Sequence, residues 1–174
     1  MKKELQSGLM LLLICMGNCQ NAFAGKIHNR HFKFTITVPD QAVEIRDSTD
    51  LQGECYYDTA ASIILMISVI EKNKFKSVND YMDCTREGLE QQLRQEYGDT
   101  TLTLISCNKP LYYPGKTTLL HFSVAGLPSG HNTYMIYFIH HRHKDIQISF
   151  TYKNGTEQYS QNYINKVMQT LVLE

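Results

Sequence analysis

The sequence predicts an α+β domain, a mostly antiparallel sheet sandwiched between two helices. Three observations carry that expectation. Short segments with strand-like apolar patterns recur between residues 31 and 153. Only two stretches, 77–97 and 156–171, place apolar residues at helical spacing. The connectors 126–130 and 142–145, between the last three strand segments, are short enough for hairpins, so that part of the sheet is antiparallel.

The domain opens with residues 31–38 (HFKFTITV), where Phe32, Phe34, Ile36 and Val38 alternate with polar residues, as in a strand with one buried face. Pro39-Asp40 ends it. Residues 41–50 read as a loop with a short strand around 43–45, and Gly53 precedes a short strand over 54–58. Residues 61–70 (ASIILMISVI) are apolar at both parities: Ile63, Leu65, Ile67 and Val69 face one side, and Ile64, Met66 and Ile70 the other. Such a strand is covered on both faces, which calls for a helix layer on each side of the sheet. Its β-branched content and ten-residue length favour strand over buried helix.

Ser77 is an N-cap candidate with Asp80 three residues on. Val78, Met82, Thr85, Leu89 and Leu93 then mark a helix to about Tyr97, and Gly98-Asp99 stops it. Residues 102–107 form a strand, followed by turns at Asn108-Lys109-Pro110 and Pro114-Gly115. Strands over 116–125, 132–141 and 146–153 complete the sheet, and Asn154-Gly155 closes it. Thr156 caps a last helix with the stripe Ser160, Tyr163, Ile164, Val167, Met168, Leu171.

Residues 1–24 read as a secretory signal peptide. Lys2 and Lys3 are basic, residues 9–16 (LMLLLICM) form an apolar core too short to span a bilayer, and Ala22-Phe23-Ala24 is a small-x-small cleavage pattern. Cleavage after Ala24 leaves one domain of residues 25–174, with no membrane span, in the periplasm or outside the cell. An uncleaved anchor and a lipoprotein modified at Cys19 are the alternatives, although Asn18 is not the small residue a lipobox wants. A 150-residue chain can bury a core without metals or disulfides. Full-length charge balances, 17 basic against 17 acidic residues, which gives no footprint for nucleic acid and no polybasic membrane patch.

Cys55, Cys84 and Cys107 follow the leader, an odd number that allows at most one internal disulfide. Cys84 and Cys107 lie level if the helix turns back into the next strand, but Cys84 sits off the apolar stripe, so the pairing stays open.

The opening FTITVPD (residues 34–40), the strands before SVNDYMDCTREGLEQQL, and the ending DIQISFTY followed by a helix resemble the PsbP/DcrB-like family over nearly all of residues 31–173. The Gly-Trp that often follows the opening Pro in that family is Gln41-Ala42 here, and the chain has no Trp. The resemblance implies the sandwich fold and a non-catalytic binding or assembly role outside the cytoplasm. It implies no catalytic residue and no cofactor.

The residues offer little chemistry of their own. His140, His141 and His143 crowd the final hairpin (HHRHKD). His141, His143 and Asp145 share a side if the backbone stays extended, and imidazole with carboxylate can hold zinc or copper. A solvated hairpin tip is the simpler reading. His121 falls opposite Met135, about 15 Å or more from His140 along the sheet, too far to share a metal. His28 and His31, near the new N-terminus, are expected to be exposed. Glu54 and Asp58 share a parity and read as a solvated strand face. Cys84, in a helix beside Asp83, Arg86 and Glu87, has no sequence signal for a partner His. Asn154-Gly155-Thr156 is a glycosylation match that here reads as turn and cap. No nucleophile elbow, phosphate loop or dinucleotide fingerprint occurs. The expectation is an exported binding module for an unknown protein or envelope component, with Tyr56, Tyr57, Tyr112 and Tyr113 as contact candidates. A metal-binding protein or enzyme using the His-rich hairpin, and an inhibitor or immunity-type protein, are the alternatives.

Overall fold

The computed structural model describes residues 25–30, 33–39, 41–44, 53–71, 74–98, 102–108, 116–125, 127, 130–141 and 144–174. The leader 1–24 with Cys19, the side chain of Cys107, His31, His143, Tyr112, Tyr113 and the Pro114-Gly115 turn lie outside the described residues.

Among the described residues the chain forms two antiparallel sheets and two helices. The larger sheet contains β3 (Ala42–Glu44), β4 (Gly53–Asp58), β5 (Ile63–Glu71), β6 (Leu102–Asn108), β7 (Lys116–Val124), β8 (His131–His141) and β9 (Lys144–Lys153). Its order is β3-β4-β5-β9-β8-β7-β6, which puts β9 in the middle. Helices α1 (Val78–Tyr97) and α2 (Glu157–Gln169) cover its two faces. The two-sided pattern of β5 is met as expected. Ile63, Leu65 and Ile67 join the core under α2, which supplies Tyr163, Ile164, Val167 and Met168. Ile64, Met66 and Ile70 join the core under α1, which supplies Tyr81, Leu89 and Leu93.

The helix ends follow their local chemistry. The Asp80 N–H donates to Ser77 Oγ at 3.1 Å, as an N-cap requires. Gly98 adopts φ 76°, a backbone that side chains resist, and its N–H donates to the Arg94 carbonyl at 3.1 Å. Thr156 flanks α2 but makes no side-chain cap bond to the helix backbone. Its hydroxyl donates instead to the Lys153 carbonyl at 2.7 Å.

The smaller sheet was not legible in the sequence. The first expected strand is β2 (Phe34–Thr37), and it pairs not with the main sheet but with β1 (Lys26–Asn29) and β10 (Val172–Leu173). The β1 segment KIHN is half exposed and β10 has two residues, so neither carries an apolar signal of its own. Both form because β2 offers two free edges, bringing residues 172–173 against residues 34–35. Phe34 and Ile36 thereby complete the core on the α2 side.

Candidate functional site

The strongest polar constellation lies where β8 turns into β9. The register opposes His140 to Asp145 and His141 to Lys144. Residues directly opposed in an antiparallel pair share a face. His141 and Asp145, expected to share a side, therefore lie on opposite faces, and Asp145 pairs with His140 instead. His140 Nδ1 lies 2.7 Å from Asp145 Oδ1. The imidazole is 36% exposed and the carboxylate 3%. His141 belongs to the other side of the sheet, where its Nε2 lies 3.2 Å from the carbonyl of Glu174.

Aromatic rings wall this pair. Phe138, two residues before His140 on the same face, meets the imidazole edge-on at 4.7 Å. Tyr81 of α1 stacks on Phe138 at 3.8 Å, and Phe75 stands edge-on to both at 5.1 and 6.0 Å. The Tyr81 hydroxyl donates to Gln147 Oε1 at 3.1 Å, one step further along β9 from Asp145. Burial raises the Tyr81 phenol far above its usual range, with the Thr85 hydroxyl opposing and the Asp145 charge adding. A buried carboxylate that engages Nδ1 fixes the imidazole ring and leaves Nε2 as its remaining group for an outside partner. Among the described residues no three of His, Cys, Asp and Glu are placed to hold a metal ion.

A second polar group sits at the opposite end of the sheet. His121 falls opposite Met135, as the hairpin spacing predicts. The Tyr152 hydroxyl lies 3.4 Å from His121 Nε2. Burial lowers the His121 pKa, with the Glu157 charge opposing, and burial pushes Tyr152 up to about 12. The Glu157 carboxyl is held below its ordinary range chiefly by the Gly155 N–H, which donates to it at 2.8 Å.

Two expected surface residues, Tyr56 and Asp58, have other roles. Tyr56 is 6% exposed and belongs to the core under α2, so its ring is not a contact candidate in this fold. Tyr57 points the other way, half-buried, and meets His131 edge-on at 6.3 Å. Asp58 is not on a solvated face: it is 1% exposed, and its Oδ1 accepts the Ala61 N–H at 2.9 Å, tying the turn into β5. Tyr163 faces it, and burial followed by the Asp58 charge raises that phenol above its usual range. His28 is half-exposed, as its position near the start suggests. It bonds Thr35 Oγ1 at 2.9 Å and lies 3.7 Å from a Glu174 carboxylate oxygen. Cys84 is half-buried on α1, and the backbone of Cys107 is in register with Leu120.

No family model and no curated protein matches this chain. Solved structures do match it. It is similar to the solution structure of cyanobacterial PsbP (CyanoP) from Synechocystis sp. PCC 6803, with a TM-score of 0.66 at 12% identity, covering 91% of this chain and 99% of that one. It is also similar to the crystal structure of PA94, a protein of unknown function from Pseudomonas aeruginosa, with a TM-score of 0.52 at 16% identity, covering 88% and 99%. At these identities the likeness is one of fold, and the fold is PsbP-like.

Proposed function

We propose that this PsbP-like chain is an exported, non-catalytic binding or assembly module of the bacterial envelope. The observation that carries the reading is the meeting of leader and fold. The leader's small-x-small motif ends at Ala24, and the next residue, Gly25, already bonds the fold, its carbonyl accepting the Val38 N–H at 3.0 Å. Cleavage at the motif would leave β1 (Lys26–Asn29) whole. Among the described residues no helix is long and apolar enough to cross a membrane. The half-buried Tyr57 and the 56% exposed Tyr159 are the aromatic surfaces offered to a protein or envelope partner.

The test is fractionation of the native host followed by N-terminal sequencing. A chain beginning at Gly25 in the periplasmic or secreted fraction is expected. An unprocessed chain retained in the cytosol overturns the proposal. Reciprocal affinity capture of the mature chain with a named envelope component tests the binding role.

A further inference from the structure

We propose that α1 is a separable layer of this fold, which lifts from the sheet as a unit in a local opening that leaves the α2 side folded. The two faces of the central strand differ in kind. Toward α2, β9 presents Ile146, Ile148, Phe150 and Tyr152, all in the apolar core. Toward α1 it presents Asp145, Gln147, Ser149 and Thr151, polar at every position and between 1% and 5% exposed. At about 3.3 Å per residue this is a buried polar lane about 20 Å long. The buried residues of α1 add Thr85 and Gln92, and β7 adds Thr118 on the same face.

Hydrogen bonds satisfy only part of this lane. Asp145 has His140, Gln147 has Tyr81, and Ser149 Oγ reaches the Met66 carbonyl at 3.5 Å. Among the described residues, the hydroxyls of Thr118 and Thr151 and both amide atoms of Gln92 have no partner. On the α2 side the corresponding atom is Asp58 Oδ2. A buried polar atom without a partner forfeits its hydration, and opening returns it. Lifting α1 therefore recovers hydration at four atoms, whereas lifting α2 breaks an almost wholly apolar contact. Tyr81, Leu89 and Leu93 keep α1 seated in the resting state.

The helix also holds its own ends. Ser77 and Asp80 bond the first turn, Gly98 the last, and Arg86 pairs with Glu90 at 3.1 Å. Its 20 residues exceed the length, about 12–15, below which an isolated helix is marginal. The 13 residues of α2, which lack a side-chain cap bond, do not.

Hydrogen–deuterium exchange on the purified protein decides the matter. Off the sheet the helix frays in and out of its own hydrogen bonds, so we expect α1 amides to exchange about 100-fold faster than those of α2, β8 and β9 under native conditions. Replacing orphaned polar groups with apolar ones, as Thr151→Val alone and combined with Gln92→Leu, should slow α1 by about 10-fold while leaving α2 unchanged. Exchange of α1 and α2 at one common rate in the unmodified protein overturns the proposal. So does a Thr151→Val variant that slows both helices equally, because that is global stabilisation. The comparison of the two helices needs no variant, so it stands even where a substitution fails to fold.

Discussion

A double-mutant cycle on His140 and Asp145 tests the site most directly. The perturbation is His140→Ala, Asp145→Ala and the two together. His140→Ala also removes the edge contact with Phe138, so either single change costs more than the pair itself. The cycle subtracts those separate losses and leaves the interaction. At 2.7 Å between an imidazole and a carboxylate, the bond belongs to the short, charge-assisted class, worth about 1.5–3 kcal/mol. The imidazole is 36% exposed, so water competes for it, and the lower end of about 1.5 kcal/mol applies. Urea denaturation of the four proteins measures it. In a domain of this size that coupling equals a shift of about 3–6 °C in melting temperature. A coupling below about 0.5 kcal/mol, the ordinary scatter of additivity, would show that the pair does not form in solution and would refute the assignment of Asp145 to His140.

Phe150 is 0% exposed at the centre of the core under α2, so Phe150→Ala should cost about 3–5 kcal/mol by thermal denaturation, against about 0.5 kcal/mol or less for Lys153→Ala on the exposed end of the same strand. Gly155 has φ 85° with nothing within 4 Å of an added Cβ, so Gly155→Ala reads backbone strain alone, about 1 kcal/mol in a chemical melt. Burial lowers the folded pKa of His121, so the unfolded chain takes up the proton first as pH falls. Stability from this group is therefore whole above about pH 6.5 and declines as pH drops through the folded value. His121→Asn should flatten the melting-temperature profile between about pH 7 and 5, and a difference from the parent chain that does not vary with pH would contradict it. Ser77→Ala should cost about 1 kcal/mol and fray the first turn of α1, seen as faster amide exchange at its start.

Much of the fold was legible because its signals are local. Ser77 and Gly98 bracket α1 by cap chemistry, and the stripe Ser160, Tyr163, Ile164, Val167, Met168 is the buried face of α2. The two parities of residues 63–70 announce a helix on each face of the sheet, and that is where the two cores lie. The candidate site was legible only in composition. Three histidines and an aspartate at a hairpin are visible in the sequence, but which histidine meets the carboxylate depends on where the chain reverses. An error of one residue exchanges His140 for His141 and moves the ring to the opposite face. Tyr56 and Asp58 were misread for a related reason. Alternation says that a strand has two faces, and it does not say which of them another layer will bury.

The sequence alone determined the kind and order of the main elements and the ends of α1, since each rests on neighbouring residues and their dihedral or apolar preferences. The tertiary structure decided that β5 lies beside β9, that residues 172–173 return to β2, and that the polar face of β9 lies beneath α1 rather than in water. Those outcomes depend on contacts between residues far apart in the chain. A polar alternation has the same sequence pattern whether solvent or a helix covers it, and only the packing of the layers distinguishes the two.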